Sequence, residues 1–138
     1  MHGSPSALAR TWPARPEYVA EARRAVAEFA RSAGAALDTL FGIELAVSEA
    51  CTNAVVHGYA DGPPETFTVE AEPLGAELRI VVRDRGRGML PRPDSPGLGL
   101  GLPLISQMAE RVEVRAPRDG DGVELCMIFP LPGTAEAA

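Results

Sequence analysis

The apolar residues of this sequence change their spacing near residue 60, and that change constrains the fold more than any other feature. Before it, Val19, Ala22, Val26, Phe29 or Ala30, and Ala33 recur at steps of three and four; Leu40, Ile43, Val47, Ala50 and Ala54 do the same. Each row forms one stripe of an amphipathic helix. After it, Phe67, Val69 and Ala71 recur at every second position, as do Leu78, Ile80 and Val82, and later Val123, Leu125, Met127 and Phe129. A period of two belongs to strands with one face buried.

Punctuation divides these stretches. Leu8 to Trp12 reads as a short edge strand, closed by Pro13 and Pro16. Pro16 suits the first position of a helix, with Glu17 beside it and Gly34 ending it. Asp38 is placed to cap a second helix that stops at Gly58. Pro73-Leu-Gly reads as a hairpin turn, and Asp119-Gly-Asp-Gly turns between strands at Val112–Ala116 and Val123–Phe129. A short helix from about Leu102 to Glu110 presents Leu102, Ile105, Met108 and Ala109. The predicted order is β-α-α-β-β-α-β-β. It implies an α+β fold: a two-layer sandwich of a mixed, mainly antiparallel sheet, covered on one face by about three helices.

At 138 residues, 46% hydrophobic and 23% charged, the chain suits one globular domain over residues 1–138, with an ordered core of about 8–131. All 13 basic residues are Arg. A Walker-type phosphate loop needs a lysine after its glycines, so that class is excluded. A net charge of −6 argues against direct nucleic-acid binding, which draws on basic side chains. Arg79, Arg83, Arg85, Arg87 and Arg92 nevertheless cluster in the sequence, and such a cluster suggests an anionic ligand. The first residues lack an apolar leader core, and no apolar run approaches the ~20 residues of a membrane span. Cys51 and Cys126 read as two buried thiols in a reducing compartment. The expectation is a cytoplasmic protein with no membrane partner.

Three segments carry chemistry. Glu49-Ala-Cys-Thr-Asn53 lies on the second helix, and its ends, four residues apart, share a face that His57 continues. Asp84-Arg-Gly-Arg-Gly88 follows the strand ending at Val82. Alternating glycines let a ligand approach the backbone, and a carboxylate there can accept a hydrogen bond from an exocyclic amine, as on adenine. Gly97-Leu-Gly-Leu-Gly-Leu102 opens a helix, where free backbone N–H groups and the helix dipole favour phosphate. No βαβ unit surrounds these glycines, which removes a Rossmann reading.

In order and spacing the three segments resemble the N box and two glycine boxes of the histidine-kinase-like (GHKL) ATPase superfamily. Val47-Ser-Glu-Ala-Cys-Thr-Asn-Ala-Val-Val-His-Gly-Tyr59 is similar, more narrowly, to the anti-sigma regulatory serine/threonine kinases of bacteria. The resemblance runs from Leu8 to Leu131 and implies a Bergerat-type ATP-binding fold. It implies Glu49 as general base, Asn53 as the Mg²⁺ ligand and Asp84 as the adenine contact. Gly86 and Gly88 would make room for the base, and Gly97, Gly99 and Gly101 would line the phosphates. ATP and Mg²⁺ are then the cofactors, and a serine on an anti-sigma antagonist the substrate. The antagonist and a sigma factor become the partners, with a homodimer possible. Two other readings stay open: a nucleotide-gated binding module without catalysis, and a switch kinase acting on scaffold proteins.

The sequence departs from the family pattern in three places. Only Met89 to Pro96, with three prolines, separates the glycine boxes. No hydroxyl stands in Gly122-Val-Glu-Leu, where relatives often carry threonine. Arg85 and Arg87 stand inside the first glycine box, either supplying charge to a nucleotide or simply solvated.

Overall fold

The structure is a computed structural model that describes residues 7–58, 66–84, 98–115 and 122–132. Its elements are β1 (Leu8–Pro13), a 3-10 turn (Pro16–Tyr18), α1 (Val19–Ser32), α2 (Leu37–Gly58), β2 (Thr66–Leu74), β3 (Glu77–Asp84), α3 (Leu98–Met108), β4 (Arg111–Arg115) and β5 (Val123–Pro130). The five strands form one sheet in the order β1-β2-β3-β5-β4. All four pairings are antiparallel. The expected parallel component is therefore missing from the described sheet. The connection through α3 carries the chain from β3 past one strand position to β4, and β5 returns into the gap.

The helical stripes land where the periodicity puts them. Ala22, Val26 and Ala30 of α1 are buried, as are Leu40, Ile43, Val47, Ala50 and Ala54 of α2. They join Phe67, Val69, Leu78, Ile80, Val82, Leu125, Met127 and Phe129 in one apolar core between the helices and one side of the sheet. Trp12 stacks on Phe67 with ring centroids 5.7 Å apart, which fastens the edge strand to this core.

Several boundaries shift for local reasons. Gly34 adopts φ +97° and closes α1 with a Schellman pair: Ala35 N–H donates to the Ala30 carbonyl and Gly34 N–H to Arg31. Pro16 opens the 3-10 turn, and α1 begins three residues later. Leu40 N–H donates to the Ala36 carbonyl, so α2 starts before Asp38, which lies in the first turn instead of capping it. The β2–β3 turn falls at Gly75 and Ala76, past the expected Pro73-Leu-Gly. Pro73 is tolerated in the strand because β1 has already ended opposite Ala71. α3 begins at Leu98, not near Leu102, so Gly99 and Gly101 lie within its first turns and Pro103 within its body. Proline has no N–H, so the usual intrahelical bond to the Gly99 carbonyl cannot form.

The expectation on membrane spans also needs correction. By length and composition, Leu37–Val56 of α2 is apolar enough to cross a membrane, with hydropathy 1.2. More than half of that stretch is buried within the fold, as a core helix is.

Candidate functional site

α2 crosses the helix-covered side of the sheet with its core stripe inward. At about 100° per residue, Asn53 lies nearer the centre of that stripe than Glu49 does. The exposures follow: Asn53 is 6% exposed and Glu49 is half-buried. Asp84 is the last residue of β3 and follows the inward parity of Leu78, Ile80 and Val82; it is 1% exposed. Among the described residues, Asn53 and Asp84 are the only buried polar or charged side chains. An amide or carboxylate taken out of water into an apolar core costs stability unless something satisfies it. Both were singled out from the sequence.

Glu49 and Asn53 stand one turn apart on a single rigid helix, so their spacing is set by helix geometry. Cys51 lies between them in sequence and is fully buried. Burial pushes its thiol up to about 12, so it stays protonated near neutral pH and acts as core, not as a nucleophile. No three His, Cys, Asp or Glu side chains gather among the described residues to cage an ion. One buried amide oxygen on α2, with a carboxylate one turn before it, fits a Mg²⁺ that draws most of its six ligands from phosphates and waters.

Gly99 and Gly101 lie in the first turns of α3, consistent with a backbone segment offered to a ligand. Gly86, Gly88 and Gly97 lie outside the described residues, as do Arg85, Arg87, Arg92, the segment between the glycine boxes and the Asp119 turn.

Of the arginine cluster, the described residues are Arg79 and Arg83. Arg79 and Arg83 alternate with Leu78, Ile80 and Val82, so they point to the side of the sheet away from the helices. There Arg83 donates to Glu124 at 2.7 Å and to Glu70 at 3.0 Å, and Arg79 pairs with Glu72 at 3.5 Å. The Glu70 and Glu124 hydrogen bonds raise the Arg83 pKa against a lowering from burial. These cations are engaged by neighbouring carboxylates across the sheet and do not face the helix-covered side.

One contact was not foreseen. Arg23 of α1 donates to Ser48 of α2 at 3.2 Å, tying the two helices together beside Glu49. Its position next to the buried Ala22 was the available signal.

Comparison with known proteins bears on the family and the fold. The family model for the histidine kinase-like ATPase domain matches residues 12–129. The chain is 33% identical over 119 residues to the anti-sigma F factor of Oceanobacillus iheyensis, covering 78% of this chain and 82% of that protein. It is 31% identical over 138 residues to serine-protein kinase RsbW of Halalkalibacterium halodurans, covering 89% of this chain and 82% of the relative. Among solved structures, the RsbU and RsbW domains of a Mycobacterium tuberculosis protein superpose with a TM-score of 0.69 at 24% identity. The match takes in 94% of this chain and about a third, 34%, of that one, and it speaks to the fold.

Proposed function

Since this chain belongs to the histidine kinase-like ATPase family, alongside relatives named anti-sigma F factor and serine-protein kinase RsbW, we propose that it is an anti-sigma-type protein serine/threonine kinase. It binds ATP with Mg²⁺ and transfers the γ-phosphoryl group to a serine of an antagonist protein, and through that exchange controls a sigma factor. The observation that supports this reading most is the burial of Asn53 and Asp84 in an otherwise apolar core.

Each residue has a role in this reading. Asp84 accepts a hydrogen bond from the adenine amine. Gly86 and Gly88 leave room for the base, and Gly97, Gly99 and Gly101 bring backbone N–H groups to the phosphates. Asn53 holds Mg²⁺ through its side-chain carbonyl oxygen. When bound, the ion neutralises charge on the phosphate oxygens. Glu49 takes the proton from the attacking serine hydroxyl as its oxygen bonds to the γ-phosphorus, and the bond to the bridging oxygen breaks to release ADP. Rotation about α2 is not needed to align Glu49 with Asn53, because the helix already sets their separation. The protein works in the cytoplasm, where ATP and sigma factors are found, and a homodimer is compatible with it.

A specific feature favours a second reading. Pro91, Pro93 and Pro96 deprive the connection between the glycine boxes of three N–H donors. A nucleotide-gated module that sequesters its regulator without phosphorylating it would tolerate so poor a clamp on the γ-phosphate.

Glu49→Gln separates the two. In the kinase, the variant retains ATP binding and loses phosphoryl transfer by about 10²–10⁴-fold. Incubation with Mg-ATP and the antagonist, read by intact mass, measures it. Wild-type protein that never phosphorylates the antagonist supports the binding module. Transfer unchanged in the variant removes Glu49 from the mechanism.

A further inference from the structure

The sequence offers α3 two places to begin. In the structure it starts at Leu98. Proline, however, is best suited to the first position of a helix, where its missing N–H has no partner to lose, and Pro103 offers such a start further along. The stretch between the two is weak by composition. Gly99 and Gly101 lie in it, and glycine is among the poorest helix formers. At its end the Pro103 ring crowds the Gly99 carbonyl and leaves it without its usual donor. The remainder of α3 is pinned. Ile105 and Ala109 are buried in the core. Met108 rests on Gly42 of α2: a β-carbon at that glycine would stand 3.6 Å from the Met108 Cβ and 3.7 Å from its Sδ. Ala109 N–H donates to the Ile105 carbonyl at 2.9 Å, and Glu110 N–H donates to the Ile128 carbonyl of β5 at 2.8 Å. These contacts all fall after Pro103, and they tie this half of the helix to the core, to α2 and to the sheet.

We propose that Pro103 is a joint: residues 103–109 stay helical throughout, residues 98–102 pass between helix and open backbone, and the phosphates of a bound nucleotide hold them in the helical form. The free N–H groups and dipole of a helix start favour an anion. A ligand that meets only the helical form shifts the balance towards it. α2 does not have to move for this to happen, so Glu49 and Asn53 keep their spacing while α3 responds. The link to nucleotide rests on the proposed reading that Gly99 and Gly101 meet the phosphates; the joint itself does not.

Backbone amides divide cleanly across such a joint. In an α-helix the N–H of each residue meets the carbonyl four residues before it. By that rule the acceptors for Leu102, Leu104 and Ile105 are Leu98, Leu100 and Gly101, all lost when residues 98–102 open. The acceptors for Gln107, Met108 and Ala109 are Pro103, Leu104 and Ile105, all kept. Because proline has already removed the bond to Gly99, opening the first half breaks one bond fewer than it would in an uninterrupted helix.

Native-state hydrogen exchange on the full chain, read by NMR at increasing sub-denaturing urea, separates the two sets. In the protein alone, Leu102, Leu104 and Ile105 should exchange about tenfold or more faster than Gln107, Met108 and Ala109. Their opening should be insensitive to urea, while the second set follows global unfolding. Equal rates with equal urea dependence would overturn the joint. Pro103→Ala restores a donor to the Gly99 carbonyl, and Pro103 is exposed, so the smaller side chain leaves no cavity. The variant should slow the first set about fivefold or more relative to the second, the worth of one hydrogen bond. This is a ratio within one protein, so a change in global stability cancels. An unchanged ratio would show that Pro103 is not the joint. Saturating Mg-ATP should slow the first set about tenfold or more. If it slows the second set alone, nucleotide binds without holding residues 98–102, and the phosphate link is overturned. If it slows neither, no nucleotide binds and the proposed function fails, while the comparison with Pro103→Ala still decides the joint.

Discussion

The two sides of the sheet handle charge in opposite ways. Away from the helices, Glu70, Arg83 and Glu124 link β2, β3 and β5, Arg79 meets Glu72, and Arg111 meets Glu77 at 3.1 Å. Carboxylates and guanidinium groups lie side by side there, within reach of water, around a small buried group of Val81, Cys126 and Ile128. On the helix-covered side the strands are apolar except for Asp84 at the end of β3 and Arg10 on the exposed edge strand, over the Trp12 ring at 5.0 Å. The contrast shows that closeness along the chain does not put charges on one side of the sheet. Five arginines close in sequence suggest an anion site, yet the two that the structure describes serve the solvated side. One carboxylate, inconspicuous in composition, is the one that the described fold buries.

The comparison predicts unequal responses to mutation, and each can break it. The largest should come from the covered side: Phe129→Ala should destabilise the fold by about 3–5 kcal/mol, the range for truncating a fully buried phenylalanine, measured by urea unfolding. A loss under about 1 kcal/mol, the level of a surface change, would mean that this side is not the core.

The two cysteines give a smaller and more selective effect. Burial raises Cys51 from its ordinary 9.0 to about 12. Between those values the unfolded chain has released the proton and the folded chain has not, so stability falls as pH rises through this window. The slope for one such thiol is about 1.4 kcal/mol per pH unit. Cys51→Ala should flatten the unfolding free energy between pH 9 and 10 relative to wild type. Cys126→Ala should do so less, since Arg115 and Arg79 oppose the rise that burial causes there. Equal flattening would erase the distinction between the two sides.

The smallest effect should be on the solvated side. Arg83→Met should change stability by less than about 1 kcal/mol despite removing contacts to two carboxylates, because its side chain remains 31% exposed and solvent screens the pairs. A loss of several kcal/mol would show that the ladder is structural.

Much of this division could be read in the sequence. The alternation that sends Leu78, Ile80 and Val82 inward sends Arg79 and Arg83 outward by the same rule, which is read across the strand and not along the chain. The core stripes were legible because burial imposes a period. The placement of β5 between β3 and β4 was not, since no local pattern names a strand's neighbour. The start of α3 was missed because glycine weakens helix propensity, and Gly99 and Gly101 are helical nonetheless. Asn53 and Asp84 were singled out by motif spacing, while their burial could be read only from the fold.

The central claim is that Asp84 is buried to bind a nucleotide and not to hold the fold together. Asp84→Asn tests it most directly, with urea unfolding and ATP titration run on the same preparation. The account predicts that the variant keeps the native fold, with a stability change of no more than about 1.5 kcal/mol, since the near-isosteric amide still accepts a hydrogen bond. It also predicts ATP binding weaker by about tenfold or more, since the amine loses its charged acceptor. A variant that unfolds readily, or one that binds ATP as well as the wild type, would contradict it.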